Sequence, residues 1–281
     1  MSIDALKHIL CPVDFSEASG LAVRYAAELS HCAQAELTVM YANSFVPPTY
    51  FTVGMIEELR KQHRESLAGA EQGLREFAAR FLPVSAGAVS FRVVEAHPAD
   101  GIQRIAAESG ADMIVMGTHG RTGVNRWLLG SVAERAIRES VIPVLTVRGA
   151  PAEPVRIKNI LCPVNNSAVA RRSMEFAAEL ASCFGANLTV LHVTQDRAED
   201  SIDDICAWVP AEARVHCSLR EVTRSGEAAQ EIISFATELP ADLLVVGSRH
   251  RPFFDSTVIG ATTARVVRHA PCPVVTFIDR H

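Results

Sequence analysis

The stretch Ile9-Leu10-Cys11-Pro12-Val13 recurs residue for residue as Ile160-Leu161-Cys162-Pro163-Val164, 151 positions further along the chain. The same spacing relates Ala26-Ala27-Glu28-Leu29 to Ala177-Ala178-Glu179-Leu180. The repeat includes both a short apolar run, which is typical of a buried strand, and the helical segment that follows it. One folding unit therefore occurs twice in this chain.

The spacing of the repeat shortens beyond the middle of each copy. Gly130 corresponds to Gly260 and Pro143 to Pro273, and these pairs lie 130 positions apart. The second copy has thus lost 21 residues, from the part that corresponds to residues 43–90. Small residues and two prolines between 149 and 154 are typical of a linker. We therefore predict one domain at 1–150 and a second, with a shortened middle, at 151–281.

Each copy alternates apolar runs with amphipathic segments. In the first copy we predict strands at His8–Val13, Glu36–Tyr41, Val89–Val94, Met113–Met116 and Pro143–Val147. We predict helices at Glu17–Cys32 (with Ser16 as N-cap), Met55–Phe81, Pro98–Ser109 and Ser131–Ser140. This alternation is typical of a parallel sheet covered on both faces. The predicted fold class is α/β, with two tandem doubly wound, five-stranded, Rossmann-like domains.

Composition excludes several classes of function. The net charge is −5 and no basic stripe appears, so we expect no nucleic-acid partner. No apolar run reaches the roughly 18 residues of a membrane span, and the N-terminal run is too short for a signal peptide. We expect a cytoplasmic protein.

The seven cysteines include no Cys-x-x-Cys pair. In a cytoplasmic α/β protein we expect them to be buried, reduced thiols. Cys206, His216 and Cys217 lie close in sequence, but their spacing fits no zinc signature, so no metal ligand is predicted.

The chemistry of the first copy centres on glycines that follow the fourth predicted strand. Gly117-Thr118-His119-Gly120 is followed, after nine residues, by Gly130-Ser131 at a predicted helix start. We expect Gly117 and Gly120 to let the backbone turn and approach a ligand. Free N–H groups of Gly130, Ser131 and Val132 at the helix N-terminus favour an anion such as phosphate.

Pro12, Val13 and Asp14 lie at the end of the first strand and are expected at the same edge of the sheet. The Asp14 carboxylate can accept hydrogen bonds from a ribose or a base, and Val13 can provide apolar contact. The two loops together predict a pocket with a phosphate end and a nucleoside end.

The spacing Gly-x2-Gly-x9-Gly-Ser, with the early Pro-x-Asp and the closing Pro-Val-x-x-Val, resembles the universal stress protein family. The resemblance implies a five-stranded parallel sheet and, with this motif, ATP binding, often with a divalent cation such as Mg or Mn. It implies adenosine contacts from Val13 and Asp14, and a base pocket lined by Ala42 and Met116. It implies that Gly117, Gly120, Gly130, Ser131 and Val132 hold the ribose and the phosphates.

Four further side chains flank the predicted pocket. Arg121 and Arg126 either screen phosphate charge or are solvated loop arginines, and Arg121 is retained as a candidate contact. His97 and His119 are interpreted as surface or packing residues rather than general bases.

The second copy departs from this motif at three positions. Asn165 replaces Asp14, His250 replaces Gly120 and Ala261 replaces Ser131. All three changes weaken phosphate or ribose binding, so we predict a degenerate site that is empty or holds a different small ligand. Nucleotide binding through main-chain groups alone is the alternative.

Two questions of architecture remain open in the sequence. The segment Asn43–Phe81 is either a lid over the pocket or a surface connection. The resemblance implies that the domains pair through their last strands, Val144–Val147 and Val274–Phe277, as an intramolecular pseudo-dimer. A further homodimer is plausible.

The predicted function is that of an ATP-binding universal stress protein with a regulatory or stress-resistance role. No constellation of residues compels an enzyme, so catalytic residues are not assigned and at most weak ATP hydrolysis is expected. The alternatives are a slow ATPase or adenine-nucleotide hydrolase, and a nucleotide-free interaction protein. A dinucleotide oxidoreductase is disfavoured because the first strand ends in Pro-Val-Asp rather than a Gly-x-Gly-x-x-Gly turn.

Overall fold

A computed structural model describes residues 3–43, 69–84, 87–118, 129–149, 154–194, 208–209, 217–249, 251–253 and 256–279. The strands of the first half are β1 (His8–Val13), β2 (Glu36–Asn43), β3 (Val89–Glu95), β4 (Met113–Gly117) and β5 (Val144–Val147). Its helices are α1 (Glu17–Ala33), α2 (helical at 69–79), α3 (Pro98–Ser109) and α4 (Ser131–Glu139). A short 3-10 helix, Ile3–Ala5, precedes β1.

The second half repeats this order. Its strands are β6 (Asn159–Val164), β7 (Asn187–Thr194), β8 (Ser218–Ser225), β9 (Leu243–Arg249) and β12 (Val274–Asp279). A small antiparallel ribbon, β10 (Arg251–Phe253) with β11 (Ser256–Val258), lies between β9 and the last helix. The helices are α5 (Ala168–Phe184), α6 (Ala228–Glu238) and α7 (Ala261–His269).

The main strands form one ten-stranded sheet in the order β3-β2-β1-β4-β5-β12-β9-β6-β7-β8. Within each half, neighbouring strands of this sheet run parallel, and the two halves show the same strand order. The predicted α/β class, with five parallel strands in each copy, is confirmed.

Helices cover both faces of the sheet. On one face α1 and α5 pack with Leu74 and Phe77 of α2 in a single apolar core that runs through both halves. On the other face α3, α4, α6 and α7 cover a second core, which includes Ile102 and Ile137. Residues that alternate along β1 belong to alternate cores: Cys11 to the first and Leu10 to the second. The sheet is therefore doubly wound.

The two halves meet through β5 and β12. These strands pair antiparallel, with Leu145 opposite Val275 at the centre of the register. Arg148, just after β5, donates hydrogen bonds to the main-chain carbonyls of Val267 and Arg268, at 2.5 and 2.7 Å. Because the last carbonyls of a helix have no partner within it, Arg148 of one half caps α7 of the other.

Most predicted boundaries agree with the structure to within two residues. β2 extends two residues past its predicted end, because its ladder with β3 continues through Ala42 and Asn43. Ser16 is the N-cap of α1 as predicted, since its side chain accepts from the Ser19 N–H at 3.2 Å. Of the predicted helix Met55–Phe81, residues 55–68 lie outside the described part of the chain.

The expectation that the cysteines would all be reduced thiols is wrong for one pair. A disulfide joins Cys32, in the last turn of α1, to Cys183, in the last turn of α5. The two cysteines meet because α1 and α5 lie side by side on one face of the sheet, and sequence spacing carries no sign of that contact. Cys11, Cys162 and Cys272 are buried free thiols, as expected, and Cys217 is a half-buried one.

Within the residues that the structure describes, no helix is both long and apolar enough to cross a membrane.

Candidate functional site

The candidate site lies where the strand order of the first half reverses direction. β1 neighbours both β2 and β4, and β1 and β4 run parallel and end at the same edge of the sheet, with Val13 and Gly117 as their last residues. Ligands of open α/β sheets bind in the crevice outside the carboxyl ends of strands at such a switch point. Topology therefore brings the two predicted loops together.

Asp14 is held in place by the start of α1. Its carboxylate accepts hydrogen bonds from the Ser16 hydroxyl at 2.6 Å and the Ser16 N–H at 3.1 Å. Ser16 in turn caps α1, so the carboxylate lies beside the positive end of a helix of 17 residues. A carboxylate oriented this way is ready to accept further hydrogen bonds from sugar hydroxyls.

Phe15, between these two residues, has a positive φ of 66°, and its ring packs against Tyr41 in a tilted arrangement, with a centroid distance of 4.7 Å. The sequence does not predict this contact, because a left-handed phenylalanine leaves no mark in composition or periodicity. The turn after β1 is thus fixed by a ring contact as well as by hydrogen bonds.

Gly117 is required by a helix rather than by a turn. A Cβ atom there would lie 3.0 Å from the main-chain carbon of Ala18 in α1. The counterpart Gly247 faces the same restriction, 3.0 Å from the main chain of Val169 in α5. The expectation that Gly117 provides a tight turn is therefore corrected: it is the last residue of β4, and it lets a helix pass close to the strand.

The N-terminus of α4 is attached directly to the end of β4. The Gly130 N–H donates to the Thr118 carbonyl at 2.7 Å, and the Thr118 N–H donates to Val147 at 2.8 Å. Gly130 is the N-cap, with an extended φ of −65° and ψ of 147°, and no side chain of the described residues caps the helix. The free amides that start α4, and the exposed Ser131, therefore lie at the edge that carries Asp14 and Gly117.

The predicted base contacts divide between the two faces of the sheet. Met116 is buried in the core beneath α3 and α4, and Ala42 and Val132 pack against that core. Val13 belongs to the core beneath α1. Val13 therefore approaches the edge of the sheet from the face opposite to Met116 and Ala42.

The second half contains an open cavity of about 630 Å³ at the corresponding edge of its own strands. Its lining includes the counterparts of Pro12, Val13, Asp14, Ala42, Met116, Gly117, Gly130, Ser131 and Val132. In the same order, these counterparts are Pro163, Val164, Asn165, Val193, Val246, Gly247, Gly260, Ala261 and Thr262. Nine of the eleven positions predicted for the first half thus surround one cavity in its repeat.

The described residues that line this cavity are neutral. They are aliphatic side chains, glycines, Asn165, Ser167 and threonines. The Asn165 side chain accepts from the Ser167 hydroxyl at 2.5 Å, which repeats the Asp14–Ser16 contact without the negative charge.

Several predicted positions lie outside the described residues. These are Gly120, Arg121, His119 and Arg126 of the first half and His250 of the second. His97 is placed at the start of α3, with a side chain 61% exposed and 4.0 Å from the Asp100 carboxylate. No group of three or more potential metal ligands occurs within the described residues.

The two halves also match one known family separately. Residues 5–148 and 156–277 each correspond to the universal stress protein family. The chain belongs to the universal stress protein family. Because both halves match, the repeat is a tandem pair of universal stress protein domains.

Relatives exist in single-domain and tandem lengths. A universal stress protein of Mycolicibacterium smegmatis is 27% identical over 293 aligned positions, which cover 97% of each chain. Universal stress protein MJ0531 of Methanocaldococcus jannaschii is 33% identical over 147 residues, covering 50% of this chain and 82% of that protein.

Among solved structures, a universal stress protein of Archaeoglobus fulgidus superposes with a TM-score of 0.71. It is 21% identical and covers 97% of this chain, with 98% of that chain matched. This likeness supports the tandem fold.

Proposed function

We propose that this universal stress protein binds ATP in its first domain and serves a regulatory or stress-resistance role. The main support is the cavity of the second domain, which is surrounded by the counterparts of nine predicted nucleotide contacts. A repeated fold presents equivalent positions in equivalent places, and the first domain carries the residues with the binding chemistry.

The phosphate end of the proposed site is α4. Its free amides and the Ser131 hydroxyl can donate to phosphate oxygens, and Gly130 is held at the end of β4 by its bond to Thr118. A triphosphate would bring a divalent cation such as Mg or Mn, bound mainly by phosphate oxygens and water. Gly120 and Arg121 are proposed to complete the phosphate contacts.

The nucleoside end is the opposite wall. The Asp14 carboxylate would accept from the ribose hydroxyls, while Pro12 and the main chain of Val13 border the base. Ala42 and Met116 would provide the apolar floor, because both belong to the face covered by α3 and α4. This arrangement matches the mostly apolar lining with a few oriented polar groups that is typical of small-molecule sites.

In the second domain we propose that the same cavity binds ATP weakly or not at all. Asn165 and Ala261 remove the carboxylate and the hydroxyl from a lining whose described residues carry no charged side chain. The two sites are therefore proposed to share one fold and to differ in their affinity for ATP.

The first test is the nucleotide content of the purified chain. We expect denaturation to release ATP, identified by chromatography, at no more than about one per chain. Calorimetric titration of nucleotide-free protein with Mg-ATP should show one strong site. ADP that increases with time would indicate hydrolysis, and no heat and no thermal shift with Mg-ATP would contradict the proposal.

A second test transfers the departures of the second domain into the first. Gly120→His and Ser131→Ala should each weaken Mg-ATP binding, since one crowds the phosphates and the other removes a donor. Ala261→Ser is the matched control in the second domain, and it should leave the affinity of the strong site unchanged. Retained affinity in both first-domain variants would contradict the assignment of the phosphate end.

We further propose that domains 1–150 and 151–281 form an intramolecular pseudo-dimer in the cytoplasm, paired through β5 and β12. The antiparallel register of these strands supports the pairing. Light scattering should give a mass near 30.4 kDa if no further association occurs, and twice that mass for a homodimer.

A further inference from the structure

Cys32 and Cys183 occupy the same position in the two repeats and meet at the boundary between the domains. Their Cα atoms are 6.0 Å apart and their sulfurs are bonded. That Cα separation lies within the range that a disulfide spans without movement of the backbone. The bond is the one covalent link between the two domains, apart from the chain itself, within the described residues.

This pair is open to solvent, unlike its neighbours in the cores. Cys183 is exposed and Cys32 is half-buried. Cys11 and Cys162 are also equivalent in the two repeats, but both are wholly buried, and burial raises the pKa of the Cys162 thiol to about 12 and that of Cys11 still higher. Soluble oxidants and reductants can reach the Cys32–Cys183 pair because it is open to solvent. Burial keeps Cys11 and Cys162 away from solvent and in the thiol form, and the thiolate is the form that reacts.

Non-covalent contacts hold the two cysteines near each other. α1 and α5 pack in one continuous core, and β5 and β12 pair beneath them. The N–H of Ile3, in the short 3-10 helix that precedes β1, donates a hydrogen bond to the Glu179 carboxylate in α5. The two thiols would therefore stay close together after reduction of the bond.

We propose that Cys32 and Cys183 form a reversible oxidative modification site that locks the two domains together. Hydrogen peroxide is the oxidant: one thiolate attacks a peroxide oxygen, which gives a sulfenic acid and one water after proton transfer. The second thiol then attacks the sulfenic sulfur, forms the S–S bond and releases a second water. A dithiol returns two electrons and two protons, which restores both thiols and oxidises the dithiol.

The Cys32–Cys183 disulfide lies far from the proposed nucleotide site. Ser16, which orients Asp14, begins α1, and Cys32 lies in its last turn, about 24 Å away along the helix. Oxidation should therefore stabilise the association of the domains without a large change in ATP affinity. The proposal does not depend on ATP binding, so either proposal can fail without the other.

The test uses the full chain, reduced with dithiothreitol and then treated with hydrogen peroxide. Remaining thiols are blocked with N-ethylmaleimide before mass mapping of peptides under non-reducing conditions. We expect peptides that contain Cys32 and Cys183 to become linked, and dithiothreitol to separate them. Cys11 and Cys162 should remain thiols. Linkage to a different cysteine, or irreversible oxidation of Cys183 alone, would overturn the proposal.

A second readout is the melting temperature of the same chain in its two redox states. Closing a loop across 151 residues should raise it by roughly 10 °C in the oxidised form. Cys183→Ser should abolish the difference, whereas Cys217→Ser, which changes a half-buried free thiol, should preserve it. Equal melting temperatures in both redox states of the unmutated chain would overturn the proposal without reliance on any variant.

Discussion

At the scale of single residues, the two domains share a packing requirement and differ in chemistry. Gly117 and Gly247 each let a helix pass close to the last residues of a strand. Retention of Gly247 is therefore explained by packing, and says nothing about ligand binding. The chemical difference rests on Asp14 and Ser131, which become Asn165 and Ala261.

We expect Gly117→Ala to destabilise the chain by about 1–3 kcal/mol, because the added methyl would press on the main chain of Ala18. Chemical denaturation measures this loss. The matched control is Gly73→Ala in α2, where the added Cβ meets nothing within 4 Å and the stability should rise by about 1 kcal/mol. Equal effects of the two substitutions would contradict this explanation.

Asp14→Asn copies the residue of the second domain with little change of shape. Loss of a charged hydrogen-bond acceptor is worth about 1.5–3 kcal/mol, so Mg-ATP affinity should fall at least 10-fold. Calorimetric titration measures the change. Asn165→Asp should leave the affinity of the strong site unaltered, and an equal effect of both substitutions would refute a site confined to the first domain.

At the scale of elements, α1 and α5 start with the same cap. Ser16 and Ser167 each accept a hydrogen bond from the main chain three residues on and each donate to the preceding Asp14 or Asn165. One serine therefore begins a helix and orients the side chain beside the strand end. The structure assigns this double role, whereas the sequence predicted only the cap of α1.

Ser16→Ala and Ser167→Ala should each cost about 1 kcal/mol of stability, as loss of an N-cap does. Only Ser16→Ala should also weaken Mg-ATP binding, because it removes the shorter of the two hydrogen bonds from Ser16 that orient the Asp14 carboxylate. Thermal denaturation and calorimetric titration of both variants separate the two effects. Unchanged ATP affinity in Ser16→Ala would contradict a role of the Ser16 hydroxyl in orienting Asp14 for binding.

At the scale of the whole molecule, the ten-stranded sheet depends on the junction of two edge strands. Pairing of β5 with β12 satisfies main-chain groups that an isolated domain would expose. Arg148 adds a cap from one domain to the end of α7 in the other, and burial lowers the pKa of its guanidinium. The junction is thus specified by polar contacts as well as by strand pairing.

Arg148→Met keeps the length of the side chain and removes both hydrogen bonds. We expect a loss of about 2–4 kcal/mol, because two carbonyls at the end of α7 lose a charged donor in a partly buried place. Arg268→Met is the control, since its ion pair with Glu134 at 3.2 Å is about half exposed and worth at most about 1 kcal/mol. Similar losses in both variants, measured by denaturation, would contradict this ranking.

The ribbon β10–β11 is a feature of the whole molecule that the sequence did not indicate. It corresponds in sequence to residues 121–128 of the first domain, and β11 lies beside α4 of that domain. Strands of three residues are too short for periodicity to reveal.

The sequence by itself determined the repeat, the kind and order of the elements, and which residues lie at the strand ends along one edge of the sheet. These properties are local: apolar runs mark buried strands, amphipathic segments mark helices, and parallel strands place their ends at one edge. His8–Val13 and Pro98–Ser109 were predicted to the residue for this reason.

Only the tertiary structure decided which side chains share a face, why Gly117 must be glycine, and that Cys32 lies against Cys183. Each depends on two segments far apart in the chain: β4 against α1, or α1 against α5 across 151 residues. Local periodicity records how a residue sits on its own element. It does not record which other element packs there, because that contact is set by the assembled sheet.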